Sequence, residues 1–254
     1  MKSATESVAF VVVSCDRYAD LWDPFFHCLD KYWSDCPYSV YLVTNHKDYD
    51  RPGVTVIKVG DDRSYSDNLR TAVSQLKESW VILWLEDVFI SQPVDTRGLQ
   101  IIIEAAQSIN VGYLKLSADL PLSYEGGTPQ GIGPIPKGVR YRSAVGLSLY
   151  HVETLKRLLI PNATAWELDT STISNELDIP FYALTGQAAR RPPIVWVNGV
   201  IKGRWNWPAI TFLRKEGFAG LLNGRKRLDL KGYLYIQAFL LHNFVFRTLK
   251  KDWY

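Results

Sequence analysis

The run Trp80-Val81-Ile82-Leu83-Trp84-Leu85 is apolar at every position and stops at Glu86-Asp87. A strand facing water on one side would alternate polar and apolar residues. One with no alternation must be covered on both faces. That places it centrally in a sheet with a layer above and a layer below. Val8–Val13 has the same character, is rich in β-branched residues, and ends in Ser14-Cys15-Asp16. Ser39–Val43 ends in Thr44-Asn45-His46, and Val54–Val59 ends in Gly60-Asp61-Asp62. Helical spacing of apolar residues separates these runs at Leu21–Trp33, Asn68–Leu76 and Thr96–Ser108, and a further strand is expected at Val111–Leu116.

The order β-α-β-β-α-β-α-β predicts an α/β fold with a mostly parallel sheet flanked by helices. In open sheets of this kind ligands sit outside the carboxyl ends of the strands. Here those ends are polar or acidic one after another. The 254 residues, 47% of them hydrophobic, suffice for one large α/β domain with a small extension.

The second half changes character. Residues 121–138 hold four Pro and five Gly and predict a long loop, within which Gly131-Ile132-Gly133-Pro134 reads as a turn. Val145–Tyr150 reads as a strand, Val152–Leu159 as a short helix, Ile194–Val200 as a late strand and Trp205–Gly217 as a helix. Leu228–Lys250 is a long helix candidate. Residues 202–254 carry a net charge of +8 against −5 for residues 1–201. A basic tail on an acidic body points to an anionic partner. Arg225-Lys226-Arg227 and Lys250-Lys251 around an apolar stretch, with Trp253 and Tyr254 at its end, fit an amphipathic helix lying on an anionic membrane surface; a helix packed on the domain is the plainer alternative. No nucleic-acid recognition module is present, so nucleic acid is not expected as a partner. Cys15, Cys28 and Cys36 lack CxxC spacing and read as reduced thiols, and His27, His46, His151 and His242 lack metal-ligand spacing. The start of the chain does not read as a signal peptide and no apolar run reaches a membrane span, so a cytoplasmic location, peripheral on a membrane at most, is expected.

Glu86 and Asp87 are the most informative candidates. Carboxylates held at a rigid strand end can bind a hard divalent cation, and such a cation can bridge to phosphate oxygens. The alternative is that Asp87 caps a following helix. Ser14, Asp16, Arg17, Asn45, Asp61, Asp62 and Asn68 occupy the neighbouring strand ends and the polar helix start Ser64-Tyr65-Ser66-Asp67-Asn68, and form the rest of the expected ligand shell. For Asp61 and Asp62 a solvated turn is the competing reading. No Ser nucleophile elbow, Walker loop or GxGxxG fingerprint occurs.

The run from Trp80 to Ile90, with Leu85-Glu86-Asp87 at its centre, resembles the acidic strand end of GT-A-fold glycosyltransferases, in the version seen in bacterial polysaccharide enzymes. Tyr141–Tyr150 resembles their acceptor-side strand, and Ala165-Trp166-Glu167-Leu168-Asp169 a downstream Trp-Glu-x-acid segment. The resemblance covers residues 8–215 and implies a donor half over about 1–118, an acceptor half over 119–215, and a basic amphipathic helical extension over 216–254. It implies a nucleotide-sugar donor, a glycan or lipid-linked acceptor in capsule or lipopolysaccharide synthesis, and an inverting mechanism with Glu167 as general base and Asp169 as second choice. The competing reading of those two acids is favourable charge at a helix start. The resemblance also implies Mn2+ or Mg2+ with Asp87 as ligand, but Val88 stands where the fuller motif has another acid. Positive side chains could take the cation's place, with Arg17, Arg63, Lys202 and Arg204 as candidates. A nucleotidyltransferase, or a noncatalytic glycan- or nucleotide-binding protein of the same fold, are the alternatives.

Overall fold

The computed structural model describes residues 6–117, 128–139 and 141–249, with side chains in the last helix given through 238 and at 241. Four parallel strands form one half of the main sheet: β1 (Val8–Val13), β2 (Ser39–Thr44), β3 (Val54–Lys58) and β4 (Trp80–Leu85), in the order β3-β2-β1-β4. A short strand β5 (Val88–Ile90) leaves this sheet immediately after β4. The other half is built from β6 (Tyr113–Lys115), β7 (Ile132–Pro134), β8 (Ser148–His151) and β9 (Phe181–Leu184). The full order is β3-β2-β1-β4-β8-β6-β9-β7. Of the eight strands, β8 and β7 run opposite to the rest. Outside the main sheet, β10 (Trp196–Asn198) pairs with β5, and β11 (Val200–Ile201) forms a hairpin with β12 (Arg204–Trp205).

Strand alternation divides the core into two layers. Phe10, Val12, Trp80, Ile82 and Trp84 face the layer built on α1 (Trp22–Tyr32), which follows the 3-10 turn Asp16–Leu21. Ala9, Val11, Val13, Val81 and Leu83 face the opposite layer, built on α2 (Tyr65–Val73). Next come α3 (Thr96–Ser108), α4 (Val152–Leu158), α5 (Ala165–Thr170), α6 (Ile173–Glu176), α7 (Gly186–Arg190) and α8 (Trp207–Lys215). α3 joins the first layer through Leu99, Ile102 and Ile103, and α4 the second through Leu155 and Leu158. The uninterrupted apolar composition of β1 and β4 is thus the signature of a sheet covered on both faces.

Several elements differ from expectation. Gly131–Pro134 is not a turn: Ile132–Pro134 pairs antiparallel with β9 as the sheet's edge strand, where a proline lacking an N–H is tolerated. Residues 121–127 of the expected loop lie outside the described residues. Ile194–Val200 is split into β10 and β11 at Gly199, whose N–H turns to the Asp87 carbonyl. The strand expected from Val145 begins at Ser148, because Leu147 is at φ 54° and interrupts extension. The final helix α9 (Leu230–Leu249) forms, but its apolar residues are not confined to a buried side: Leu230, Leu234, Tyr235 and Leu241 are exposed. Lys250, Lys251, Trp253 and Tyr254 lie outside the described residues.

The segment before α9 is woven into the body. Trp205 N–H donates to Lys226 O (2.9 Å), Leu228 N–H donates to Trp205 O (2.9 Å), and Trp207 Nε1 donates to Leu228 O (2.7 Å). Glu216, at the end of α8, accepts from Lys31 Nζ (2.8 Å) and Tyr32 OH (2.7 Å), tying α8 to α1. Cys28 and Cys36 are free thiols pushed by burial up to about 12 and about 11, so neither is a ready nucleophile.

Gly199 is a tight joint in this arrangement. A Cβ placed there would sit 2.3 Å from a Phe89 ring carbon and 2.7 Å from the Asp87 carbonyl oxygen. Overpacking of this kind costs about 1–3 kcal/mol. Gly199→Ala is therefore expected to lower the melting temperature by roughly 2–4 °C per kcal/mol lost in a chain of this size. An unchanged melting curve would show that Phe89 and the Asp87 backbone can yield.

Candidate active site at the carboxyl ends of the central strands

β4 ends in a tight turn that carries Glu86 and Asp87, and β5 starts one residue later. Two hydrogen bonds pin the backbone of this turn. The fully buried indole of Trp84 donates through Nε1 to Val88 O (2.7 Å), and Gly199 N–H donates to Asp87 O (2.6 Å). A strand follows the pair, so Asp87 caps no helix. Glu86 is only 7% exposed. Burial, reinforced by the charge of Asp87, pushes the Glu86 carboxyl well above the usual range. Burial likewise raises Asp87 to about 6.

One cation opposes both shifts, and the sequence reading had assigned it to the tail. Arg225 pairs with Asp20 (2.5 Å), and its guanidinium lies 4.5 Å from the ring centre of Tyr18. Its charge pulls the Glu86, Asp87 and Tyr18 ionisations downward. No local signal separates Arg225 from its neighbours Lys226 and Arg227. Only the chain path through residues 219–228 brings it there.

A cleft of about 550 Å³ opens above the turn. Of the expected residues, Ser14, Asp62, Asn68, Glu86, Asp87, Asp169 and Lys202 line it, together with Tyr18, Tyr65 and Trp166. Ser14 Oγ accepts from Trp22 Nε1 (2.8 Å), and Asn68 Nδ2 donates to Asp62 (2.7 Å). Lys202 reaches the cleft from the two-residue turn between β11 and β12, where it holds φ 50° beside Gly203 at φ 75°. Such turns favour Asn or Gly, and a lysine in this region costs roughly 1 kcal/mol or more.

The other candidates lie outside the cleft lining. The Asp16 carboxylate accepts from the backbone N–H groups of Asn45 (3.0 Å), His46 (3.0 Å) and Lys47 (3.2 Å), while Asn45 Oδ1 accepts from Asp16 N–H (3.0 Å). Burial pushes Asp16 up, but those donors outweigh it and hold the carboxyl below its ordinary value. Asp16 and Asn45 thus clamp the ends of β1 and β2. Asp61 faces solvent against His46, Arg17 and Arg63 are exposed, and Arg204 is paired with Asp229 (3.5 Å). His27 pairs with Glu216, and His151 packs edge-on against Trp80.

Glu167 and Asp169 part company for a geometric reason. Two residues apart on a helix point roughly 200° apart, so they cannot face one cleft. Glu167 closes a capping box, accepting from Thr164 N–H (2.7 Å) and Thr164 Oγ1 (2.8 Å), and these donors hold its carboxyl below the ordinary value. Asp169 faces the cleft and accepts from Val145 N–H (2.8 Å). Tyr65 lies between the two acid groups, its OH donating to Val145 O (3.1 Å). Burial, then the charges of Asp169, Glu86 and Asp87, push its hydroxyl well above the ordinary value. Trp166, 66% exposed, stands at the rim.

A second cleft of about 580 Å³, lined in part by Asp95, Gln187 and Arg191, contains none of the expected residues. Among the described residues, no group of three or more His, Cys, Asp or Glu side chains could by itself hold a metal ion. No helix among the described residues is long and apolar enough to cross a membrane.

No family model matches the chain, and no curated protein matches it. Solved structures do. The mannosyltransferase PcManGT from Pyrobaculum calidifontis, in complex with GDP-Man and Mn2+, aligns over 99% of this chain and 72% of its own, with a TM-score of 0.51 and 15% identity. TarS of S. aureus aligns over 72% of this chain but only 37% of its own, with a TM-score of 0.45 and 11% identity. A TarS 1–349 structure in complex with UDP gives 71%, 60%, 0.46 and 14%. This chain spans about two fifths to three fifths of the TarS chains, at scores too low to bear on the argument. The fold is the Rossmann-like GT-A arrangement, shared over nearly the whole chain with a glycosyltransferase.

The raised Asp87 carboxyl sets a pH dependence. Unfolded, it loses its proton near 3.8; folded, it keeps it to about 6. Between these values the folded state binds more protons, so this group's contribution to stability falls as pH rises through the window, and the raised Glu86 carboxyl acts in the same direction. Asp87→Asn is expected to gain stability over the parent chain between pH 4 and pH 7, read as a widening difference in melting temperature. An equal difference at both pH values would contradict the assignment.

Proposed function

We propose that this chain is an inverting glycosyltransferase of hexosyltransferase type. It takes a nucleotide-sugar donor and a glycan or lipid-linked acceptor. The observation that carries the reading is the convergence of Glu86-Asp87 and Asp169 on one cleft at the carboxyl ends of β1 and β4. A donor diphosphate leaving with growing negative charge needs positive charge at its oxygens. An acceptor hydroxyl needs a carboxylate to take its proton from the opposite side of the reacting carbon. The cleft offers both. Lys202, held at an unfavourable backbone angle, supplies a cation on the donor side, and Arg225 balances the acidic turn from behind Tyr18. The general base is assigned to Asp169 rather than Glu167, whose carboxylate is taken up by the capping box. Trp166 offers an exposed ring on which a sugar face can stack. A role in bacterial surface polysaccharide synthesis, as for capsule or lipopolysaccharide, extends the motif resemblance around residues 80–90.

A divalent cation fits the site in one form. Asp87 beside Glu86 gives two desolvated, mutually repelling carboxylates, which a cation would relieve; a hard cation commonly takes one or two carboxylates and completes its shell with phosphate oxygens. Bound there, Mn2+ or Mg2+ would neutralise charge on the leaving diphosphate. The complex of the structural neighbour with GDP-Man and Mn2+ supports trying that donor class first.

Calorimetry with UDP-, GDP-, CMP- and dTDP-sugars, with and without Mn2+, tests the donor reading. Saturable binding of one of them is expected, and no binding under any condition would remove the proposal. With the donor identified, Asp169→Asn is expected to lower kcat by about 10²–10⁴-fold with donor affinity near that of the parent chain. Glu167→Gln, whose amide oxygen can still close the capping box, is expected to leave turnover near the parent value and to cost only about 0.3–1 kcal/mol of stability through the lost charge at the helix start. The reverse pattern would return the base role to Glu167.

A further inference from the structure

α9 exposes large apolar side chains to solvent. Leu230, Leu234, Tyr235 and Leu241 are 59%, 55%, 72% and 62% exposed. At 3.6 residues per turn, the three leucines fall within about 40° of one another, with Gln237 on the same face between Leu234 and Leu241. Among the described residues, the contacts that anchor the helix lie at its start. Tyr233 stacks on Trp207 (5.0 Å between ring centres), and Gly232 N–H donates to Asp229 (2.7 Å). A helix this apolar is normally buried, so something must cover the stripe.

The charge pattern identifies the cover. Residues 232–246 of the sequence contain no Asp, Glu, Lys or Arg. Lys226, Arg227 and Lys231 are exposed at the start of this stretch, and Arg247, Lys250 and Lys251 follow it in the sequence. A second copy would set cationic ends against cationic ends in either parallel or antiparallel orientation. A nucleic acid would meet an uncharged middle. The fifteen uncharged residues measure about 22 Å as helix, short of the roughly 30 Å hydrocarbon core, so the helix does not span. An apolar stripe with cations at both ends matches an acyl boundary beneath anionic headgroups.

We propose that α9 docks lengthwise on an anionic bilayer surface, with Leu230, Leu234 and Leu241 inserted among the acyl chains and the basic ends on lipid phosphates. The docked helix continues directly from residues 226–228, which pair with β12, and the β11–β12 turn carries Lys202 into the cleft. Docking therefore holds the cleft beside the lipid surface, where a lipid-linked acceptor would present its sugar. That last step rests on the glycosyltransferase reading; docking itself does not.

Co-sedimentation of the full chain with phosphatidylcholine vesicles, and with vesicles containing phosphatidylglycerol, tests it. Binding to the phosphatidylglycerol vesicles is expected, weakened about tenfold or more by L234E/L241E, by K226E/R227E, and on neutral vesicles. No binding to either vesicle, or equal binding to both, overturns the proposal. So does a concentration-dependent dimer, seen by light scattering, that L234E/L241E dissociates. Donor calorimetry on the same variants keeps the two readings apart: donor binding without vesicle binding sinks only the docking, and vesicle binding without donor binding sinks only the enzyme reading.

Discussion

Two carboxylates at the end of a wholly apolar strand are forced into a place that water would not choose for them. β4 is buried on both faces, so the turn that ends it begins inside the protein, and Trp84 and Gly199 then fix its backbone from either side. Glu86 and Asp87 cannot both ionise freely there. The fold carries this cost at the point where four parallel strands deliver their carboxyl ends. Such a turn is a receptor for positive charge, whether from a cation with its phosphates or from the side chains around it.

The rest of the cleft is organised around that turn. Asp16 and Asn45 hold the ends of β1 and β2 against one another, Tyr65 spans the gap to Asp169, and the β11–β12 hairpin brings Lys202 across. Much of the polar machinery at these strand ends therefore positions backbone. The buried carboxylates and the exposed Trp166 and Lys202 are what remain to meet a ligand. The C-terminal segment belongs to the same construction, since Arg225 and residues 226–228 reach the turn and the hairpin.

What the sequence made legible follows from periodicity. Strands β1 to β4 and helix α3 stand close to where their apolar patterns place them, because burial on both faces or on one helical stripe leaves a repeat that can be read. The acidic turn was legible because it interrupts such a run. Short edge elements such as β7, with a Gly-Pro composition that reads as a turn, carry no repeat. Glu167 and Asp169 were visible as a pair, but which of them faces the cleft depends on where α5 starts, and the Thr164 capping box decides that. Arg225 was the least legible, since it reaches the site through long-range chain path and nothing in its immediate neighbours distinguishes it; Lys202 was one of four candidate cations, and the path of the β11–β12 hairpin separates it from Arg17, Arg63 and Arg204.

On the proposed function, the Glu86–Asp87 turn receives the diphosphate of a nucleotide-sugar. A crystal of the chain soaked with a nucleoside diphosphate and Mn2+ tests it most directly. Phosphate density is expected in the cleft between Asp87 and Lys202, with the base on the side of Ser14 and Asn68. Density instead in the cleft lined by Asp95, Gln187 and Arg191, with the acidic turn bare, would contradict it.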